Sequence, residues 1–405
     1  MTYSLAVRLG SHATIVAATI DGVPRRLPLE DSRDWMPSSV WVSPDGAWQS
    51  GTAALALAAA SPEGFEAEPL RAAGEDHLLL SGRLVPASAA IGALLSGALV
   101  AAARVIPAPP TEVRLTYPAH WGPARRHALE QAAATALAQG AVPPAPASPP
   151  GSRPAAGPGI AGPSAGRSSA GGPNAGSSSA AWPDAAQPGA AGAGVAGTRA
   201  AGLDPAAGFG DAGLISGLIS EPLAAAAGVG LRPERTTGPV AFLDIGGATT
   251  TATVLRAGPD GFAMAGPPAV REHLGGQDID RLIVAHLGEG AAGQHEDWPD
   301  LMTPASERFR QGALDLRTAV RAAKHQLSQR MAAQVAIPVL GLDVQLTRPE
   351  LERLMPPVLD EMVEVLRQAL AAASVAAADL AGLYLIGGSS RIPLVADRVW
   401  ELIRA

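Results

Sequence analysis

Val240–Gly258 reads VAFLDIGGATTTATVLRAG: two apolar stretches on either side of DIGGATTT, Asp244 to Thr251. The adjacent Gly246 and Gly247 allow a tight hairpin whose backbone N–H groups can approach an anion, and Thr249 adds a hydroxyl donor. A lone Gly-Gly turn between strands also has a purely geometric explanation. The surrounding sequence supplies company for it. LIGGSSRIP, Leu385 to Pro393, repeats strand, glycine pair (Gly387, Gly388), hydroxyl residue (Ser389) and basic residue (Arg391) before a helix. HLGGQDID, His273 to Asp280, puts Gly275 and Gly276 at a helix start. ISEPLAAAAG, Ile219 to Gly228, sets the carboxylate of Glu221 just before a proline and a small-residue helix.

Upstream, SLAVRL, TIVAATI and VPRRLPL are separated by Gly-Ser and Asp-Gly turns and predict a three-stranded antiparallel meander. SVWVSPDGAWQSG adds a strand with its own Asp45-Gly46 turn. Helices are expected around Ala53–Ala60 and Ser88–Arg104, and TEVRLTYP leads into the helix PARRHALEQAAATALA. Downstream, DLRTAVRAAKHQLSQRM and PELERLMPPVLDEMVEVLRQALAAA carry apolar residues at three-to-four spacing, and LYLIGGSS reads as a buried strand before a last helix. Two halves that each open on a glycine hairpin suggest a duplicated α/β lobe.

Between them, from about Gly140 to Asp211, the chain turns to Ala, Gly, Ser and Pro with scattered single charges, and no apolar period survives. This reads as a disordered low-complexity insertion on an N-terminal lobe (1–139) and a C-terminal lobe (212–405). The C-terminal lobe includes a short helical subdomain at about 282–344.

The 405 residues are 47% hydrophobic, enough for a substantial core. The absence of cysteine excludes disulfides and thiolate chemistry, and eight histidines without ligand spacing argue against a zinc site. A net charge of −7 offers no basic face for nucleic acid. Ser88–Ile106 is long and apolar, but it is rich in Ala and Gly and carries Arg104, so a buried helix is expected rather than a membrane span. The N-terminus has no secretion-signal pattern, and a cytoplasmic protein is expected.

Taken in order, LAVRLGSHAT, RLTYPAHWGPARRHALEQAA, ISEPLAAAAG, VAFLDIGGATTT, HLGGQDIDRLIVAHL, LRTAVRAAKHQLS, LTRPELERL and LYLIGGSSRIP resemble successive motifs of the nucleotide-binding domain of the heat-shock protein 70 (DnaK-type) chaperones. The resemblance implies an actin-like ATPase fold, two duplicated lobes of ribonuclease H-like topology with ATP or ADP in the cleft between them. It implies phosphate contacts at Gly10, Ser11, Gly246, Gly247 and Thr249, with Gly275 and Gly276 close by. Adenosine contacts would fall at Lys324, Ser328, Gly387, Gly388, Ser389 and Arg391. Residual catalytic groups would be Glu221, Asp244 and Thr249, with Asp244 reaching any magnesium through water.

The chain departs from the pattern where chemistry is concentrated. Arg8 stands where the family has an Asp, His12 takes a neighbouring hydroxyl position, Leu55 aligns with the catalytic lysine and Thr251 with a second carboxylate. Arg321 and His325 alter the adenine edge. Phosphoryl transfer depends on positioning and charge placement, so such losses imply weak or absent hydrolysis. Two roles for Arg8 stay open: a fixed cation facing phosphate in place of magnesium, or an ion pair bridging the lobes of an empty cleft. The expectation is a nucleotide-sensing or scaffold module, with a slow ATPase or a small-molecule kinase as alternatives. No peptide-binding domain follows LIGGSSRIP, so no peptide clamp is expected. The high-GC style of composition and the architecture resemble type VII secretion-associated proteins of actinobacteria, which implies protein partners in secretion machinery.

Overall fold

The computed structural model describes residues 2–31, 33–138 and 215–404. The insertion expected at 140–211 lies outside the described residues.

The first sheet begins with β1 (Tyr3–Leu9), β2 (Ala13–Ile20) and β3 (Val23–Arg26), the antiparallel meander expected from the sequence. In β1, Leu5, Val7 and Leu9 are buried while the alternate residues Ser4, Ala6 and Arg8 line the other face, the period-two pattern of a strand. Asp21 and Gly22 turn the β2–β3 hairpin with φ of 50° and 80°, as a two-residue primed turn requires. A short β4 (Met36–Pro37) adds to β2. A small side sheet follows, β5 (Val40–Val42), β6 (Trp48–Ser50) and, after α1 (Thr52–Ala58), β7 (Phe65–Glu66). A 3-10 turn at Pro69–Ala72 and the hairpin β8 (His77–Leu80) and β9 (Arg83–Pro86) lead into α2 (Ala87–Val105).

Helix α2 is the one helix among the described residues long and apolar enough to cross a membrane, and 56% of its most apolar window is buried. Ile91, Leu94, Leu95 and Leu99 are almost fully enclosed, in a core completed by the sheet and by α3. Strand β10 (Glu112–Tyr117) pairs in parallel with β1, and α3 (Pro123–Ala138) follows it.

The lobe boundary differs from the expected one. Strand β11 (Ile215–Ser220) pairs in parallel with β10, and α4 (Glu221–Gly228) extends from it, so the chain re-enters the first sheet before leaving it. Parallel neighbours need a crossover, and α3 supplies it. The shift in composition near residue 212 therefore marks a border of composition and not of the sheet.

The second sheet repeats the plan. β12 (Val240–Ile245), β13 (Thr249–Gly258) and β14 (Gly261–Met264) are antiparallel, and β15 (Ala269–Glu272), which the sequence reading missed, also pairs with β13. Helices α5 (Gly276–Glu289), α6 (Trp298–Met302) and α7 (Glu307–Leu327) come next. The hairpin β16 (Ala332–Ile337) and β17 (Leu342–Thr347) then ends the segment expected to be helical. Thr347 and Glu350 form a reciprocal capping box that starts α8 (Arg348–Leu354), and α9 (Pro356–Ala372) packs against β13. β18 (Gly382–Ile386) joins β12 in parallel at the sheet edge, half-buried throughout rather than buried, before α10 (Pro393–Arg404).

Candidate functional site

Two hairpins built alike face each other across the lobes. The Gly10 N–H donates to the Ala13 carbonyl at 3.2 Å, and the Gly246 N–H donates to the Thr249 carbonyl at 2.8 Å. The ends of β1, β11 and β12 meet beside them and deliver Arg8, Glu221 and Asp244.

Arg8 joins the two carboxylates. Its Nε donates to Glu221 Oε1 and its Nη2 to Asp244 Oδ2, both at 2.8 Å. The side chains of Glu221 and Asp244 are each 14% exposed, and Arg8 keeps 33%. Asp244 and Glu221 push the Arg8 pKa above its ordinary value. Burial raises the Asp244 carboxyl to about 6; Arg8 opposes this shift and Glu221 adds to it. Asp244 Oδ1 is buried with no hydrogen-bond partner among the described residues. Arg8 is thus engaged in an ion pair that spans the lobes.

A hydrated magnesium ion does not fit this set. The cation between the two acids is already a guanidinium, which takes one oxygen of each. Asp244, expected to reach a metal through water, spends one oxygen on Arg8. The other oxygen lies against Gly387, where a Cβ would collide with it.

His12 is the second occupant of the cleft. A Cβ built on Gly247 would stand 2.6 Å from His12 Nδ1 and 2.7 Å from Cγ, so the imidazole rests directly on the glycine hairpin. Gln277 Nε2 hydrogen-bonds both His12 Nε2 and Glu68 Oε1. Arg71 reaches from Glu68 (3.2 Å) to His273 (2.8 Å). Burial, helped by Arg321, Lys324 and Arg71, lowers the His12 pKa to about 3, so the ring is neutral at ordinary pH.

The residues expected around adenosine are also satisfied internally. Lys324 is buried, donating to the Gly276 carbonyl at 2.6 Å and pairing with Asp280 at 2.7 Å; burial lowers its pKa and Asp280 opposes the shift. Ser389 Oγ donates to the Gly246 carbonyl at 3.0 Å. The first turn of α5 is occupied too, since the N–H groups of Gly276 and Gln277 donate to the carbonyls of Gly246 and Gly247 at 3.0 and 2.8 Å. Gly275 packs so tightly that a Cβ would lie 2.8 Å from the Gly247 oxygen. Ser11 is half-buried in the first hairpin's turn, Ser328 ends α7, and Gly388 and Arg391 are exposed. Arg321 is 4.0 Å from Asp280, and His325 is exposed.

Leu55 lies on α1, which packs on β5, β6 and β7, and it makes none of these cleft contacts. The side chain that enters from that part of the chain is Glu68, thirteen positions later, because the loop after β7 carries it inward. Thr251 stands opposite Asp244 on β13 and lines a small cavity with Glu221 and Phe242. Sequence reading missed Glu68, Arg71 and Gln277. Of these, only Gln277 had a signal, its place in HLGGQDID.

Comparison with known proteins finds similarity over the C-terminal part of the chain. Residues 207–405 match the family model described as Hsp70 protein. The chaperone protein DnaK of Mycoplasmopsis pulmonis is 32% identical over 205 residues, covering 47% of this chain and 33% of that protein. DnaK of Thermosipho melanesiensis is 30% identical over the same length and shares. The aligned region therefore spans about a third of the curated relatives' length. The C-terminal part of the chain is Hsp70-like.

Proposed function

From that likeness we propose that the chain is a chaperone-like ATP-binding protein with an actin-like two-lobed fold and a cleft that senses nucleotide with little or no turnover. The observation that carries the reading is the double ion pair of Arg8. An acid can orient an attacking water or hold a hydrated metal only if its oxygens are available, and Glu221 and Asp244 each give one to the guanidinium. Nη1 of Arg8 has no hydrogen bond among the described residues, and a planar guanidinium can bind a phosphate oxygen with it while holding the acids. The positive charge that a phosphate needs is then supplied by the chain. ATP or ADP binds without a requirement for magnesium.

The test is calorimetric titration with ATP and ADP, in magnesium and in EDTA, alongside a phosphate-release assay. The expected result is similar affinity in both buffers and release at the level of a heat-inactivated control. Affinity abolished by EDTA overturns the metal-independent part. Steady release that disappears in Glu221→Ala favours a slow chaperone-like ATPase instead. A cytoplasmic location and partners in type VII secretion machinery belong to the same proposal; they rest on composition and architecture and are tested by pull-down from cytoplasmic and membrane fractions.

A further inference from the structure

The groups that close the cleft come from both lobes and converge on the second glycine hairpin. His12 comes from the β1–β2 hairpin, its backbone fixed by the Ser38 N–H donating to its carbonyl at 3.0 Å. Glu68 comes from the start of the Pro69–Ala72 turn, and its other oxygen is held by Arg71. Gln277 belongs to the first turn of α5 in the opposite lobe, and its own backbone N–H anchors it to Gly247. One amide side chain therefore ties two first-lobe residues to the hairpin, and the imidazole takes the space above Gly247. Lone cross-lobe contacts would say little. Here they meet at the Gly246–Gly247 hairpin of the second lobe, and the imidazole covers Gly247.

We propose that His12, Glu68 and Gln277 form an autoinhibitory latch that holds the lobes together without ligand and excludes nucleotide phosphate from the Gly246–Gly247 hairpin until it opens. The inference rests on the reading of the cleft as a nucleotide site. A ring in van der Waals contact with Gly247 leaves no room for a phosphate oxygen to reach the backbone there, so ring and phosphate are mutually exclusive. The apparent nucleotide affinity is then the intrinsic one scaled by the fraction of molecules with the latch open. Weakening the latch raises affinity although it removes polar groups from the site, the reverse of what deleting ligand contacts does.

The chain has no cysteine, so Glu75→Cys and Glu296→Cys, both at exposed positions and one in each lobe, give a clean pair of spin labels. Lobe separation is measured by pulsed dipolar spectroscopy without nucleotide in the parent, in Glu68→Gln, which keeps the side chain's size, and in Gln277→Ala. Circular dichroism verifies folding of each. The parent is expected to give one narrow distance distribution, and both variants a longer, broader one. ATP titration should then show at least about tenfold tighter binding in the variants, the gain of a competent fraction rising from a tenth toward one. Unchanged distances in both variants overturn the latch whatever nucleotide does. Longer distances with no nucleotide bound by any protein keep the latch and overturn the nucleotide reading. Longer distances with weaker binding overturn the competition between latch and phosphate.

Discussion

Two side chains of the cleft, Asp244 and His12, titrate away from their ordinary ranges, and their pH dependence can be separated. An acid raised from 3.8 to about 6 favours the folded state below pH 4 and loses that contribution as pH rises through 6, which is the case for Asp244. A histidine lowered from 6.5 to about 3 does the opposite: the His12 contribution is present above 6.5 and is lost as pH falls toward 3. The two offset each other between pH 4 and 6, so the parent should show little slope there. Arg8→Met removes the group that opposes the Asp244 shift and leaves two acids facing each other. Chemical denaturation should give a loss of about 2–4 kcal/mol at pH 7.5, below the full cost of breaking a buried pair because Arg8 is one-third exposed. The loss should be smaller at pH 5, where Asp244 is protonated; an equal loss at both pH values would contradict the assignment. His12→Gln should instead uncover the Asp244 contribution, with stability rising as pH falls from 6 to 4 where the parent stays level. The sequence named Arg8, Glu221 and Asp244 because each sits at a motif position. It could not show that they touch, since 213 and 236 positions separate Arg8 from its two partners.

At the scale of elements, the glycine segments are constrained by packing as much as by turn geometry. Gly275 has extended backbone that any residue adopts, yet a Cβ there would lie within 3 Å of the carbonyls of both Gly246 and Gly247. Gly275→Ala must push α5 from the hairpin and should cost about 1–3 kcal/mol in urea unfolding, the range for overpacking a filled site. Unaltered stability would mean that the two segments slide freely. Most of these elements were legible beforehand. Three-to-four spacing identified α7 and α9, the apolar Ala-rich run identified α2, α3 was read as the helix after TEVRLTYP, and the Asp-Gly and Gly-Gly turns identified the hairpins. β15 was not legible, because a four-residue strand of mixed polarity is defined by its neighbour β13 and not by its own pattern. The edge position of β18 was hidden for a related reason: LYLI looks apolar enough for a centre strand, and only the topology shows that no further strand follows it.

At the scale of the molecule, the main cores of the two lobes are joined through polar contacts and through a small apolar cluster in which Leu223 and Ala226 of α4 pack against Phe242 and Leu255 of the second sheet. Besides the Arg8 pair and the latch, Arg125 pairs with Glu272 at 3.0 Å, and Arg310 donates to the Ala59 carbonyl at 2.8 Å. Differential scanning calorimetry should give one cooperative transition for the parent and two for an Arg8→Met/Gln277→Ala double variant. A single transition in both would locate the coupling in the remaining contacts, including the apolar cluster under α4, instead. The duplicated plan was readable from the paired glycine hairpins, whereas the lobe border was not, because composition changes where the sheet does not. That border carries a genetic consequence. The coding stretch for residues 139–214, which lie outside the described residues, falls between α3 and β11, two parts of one lobe. Its sequence is a run of Ala, Gly, Ser and Pro codons, the kind of repeat that replication lengthens and shortens, so this segment should vary most in length among natural alleles.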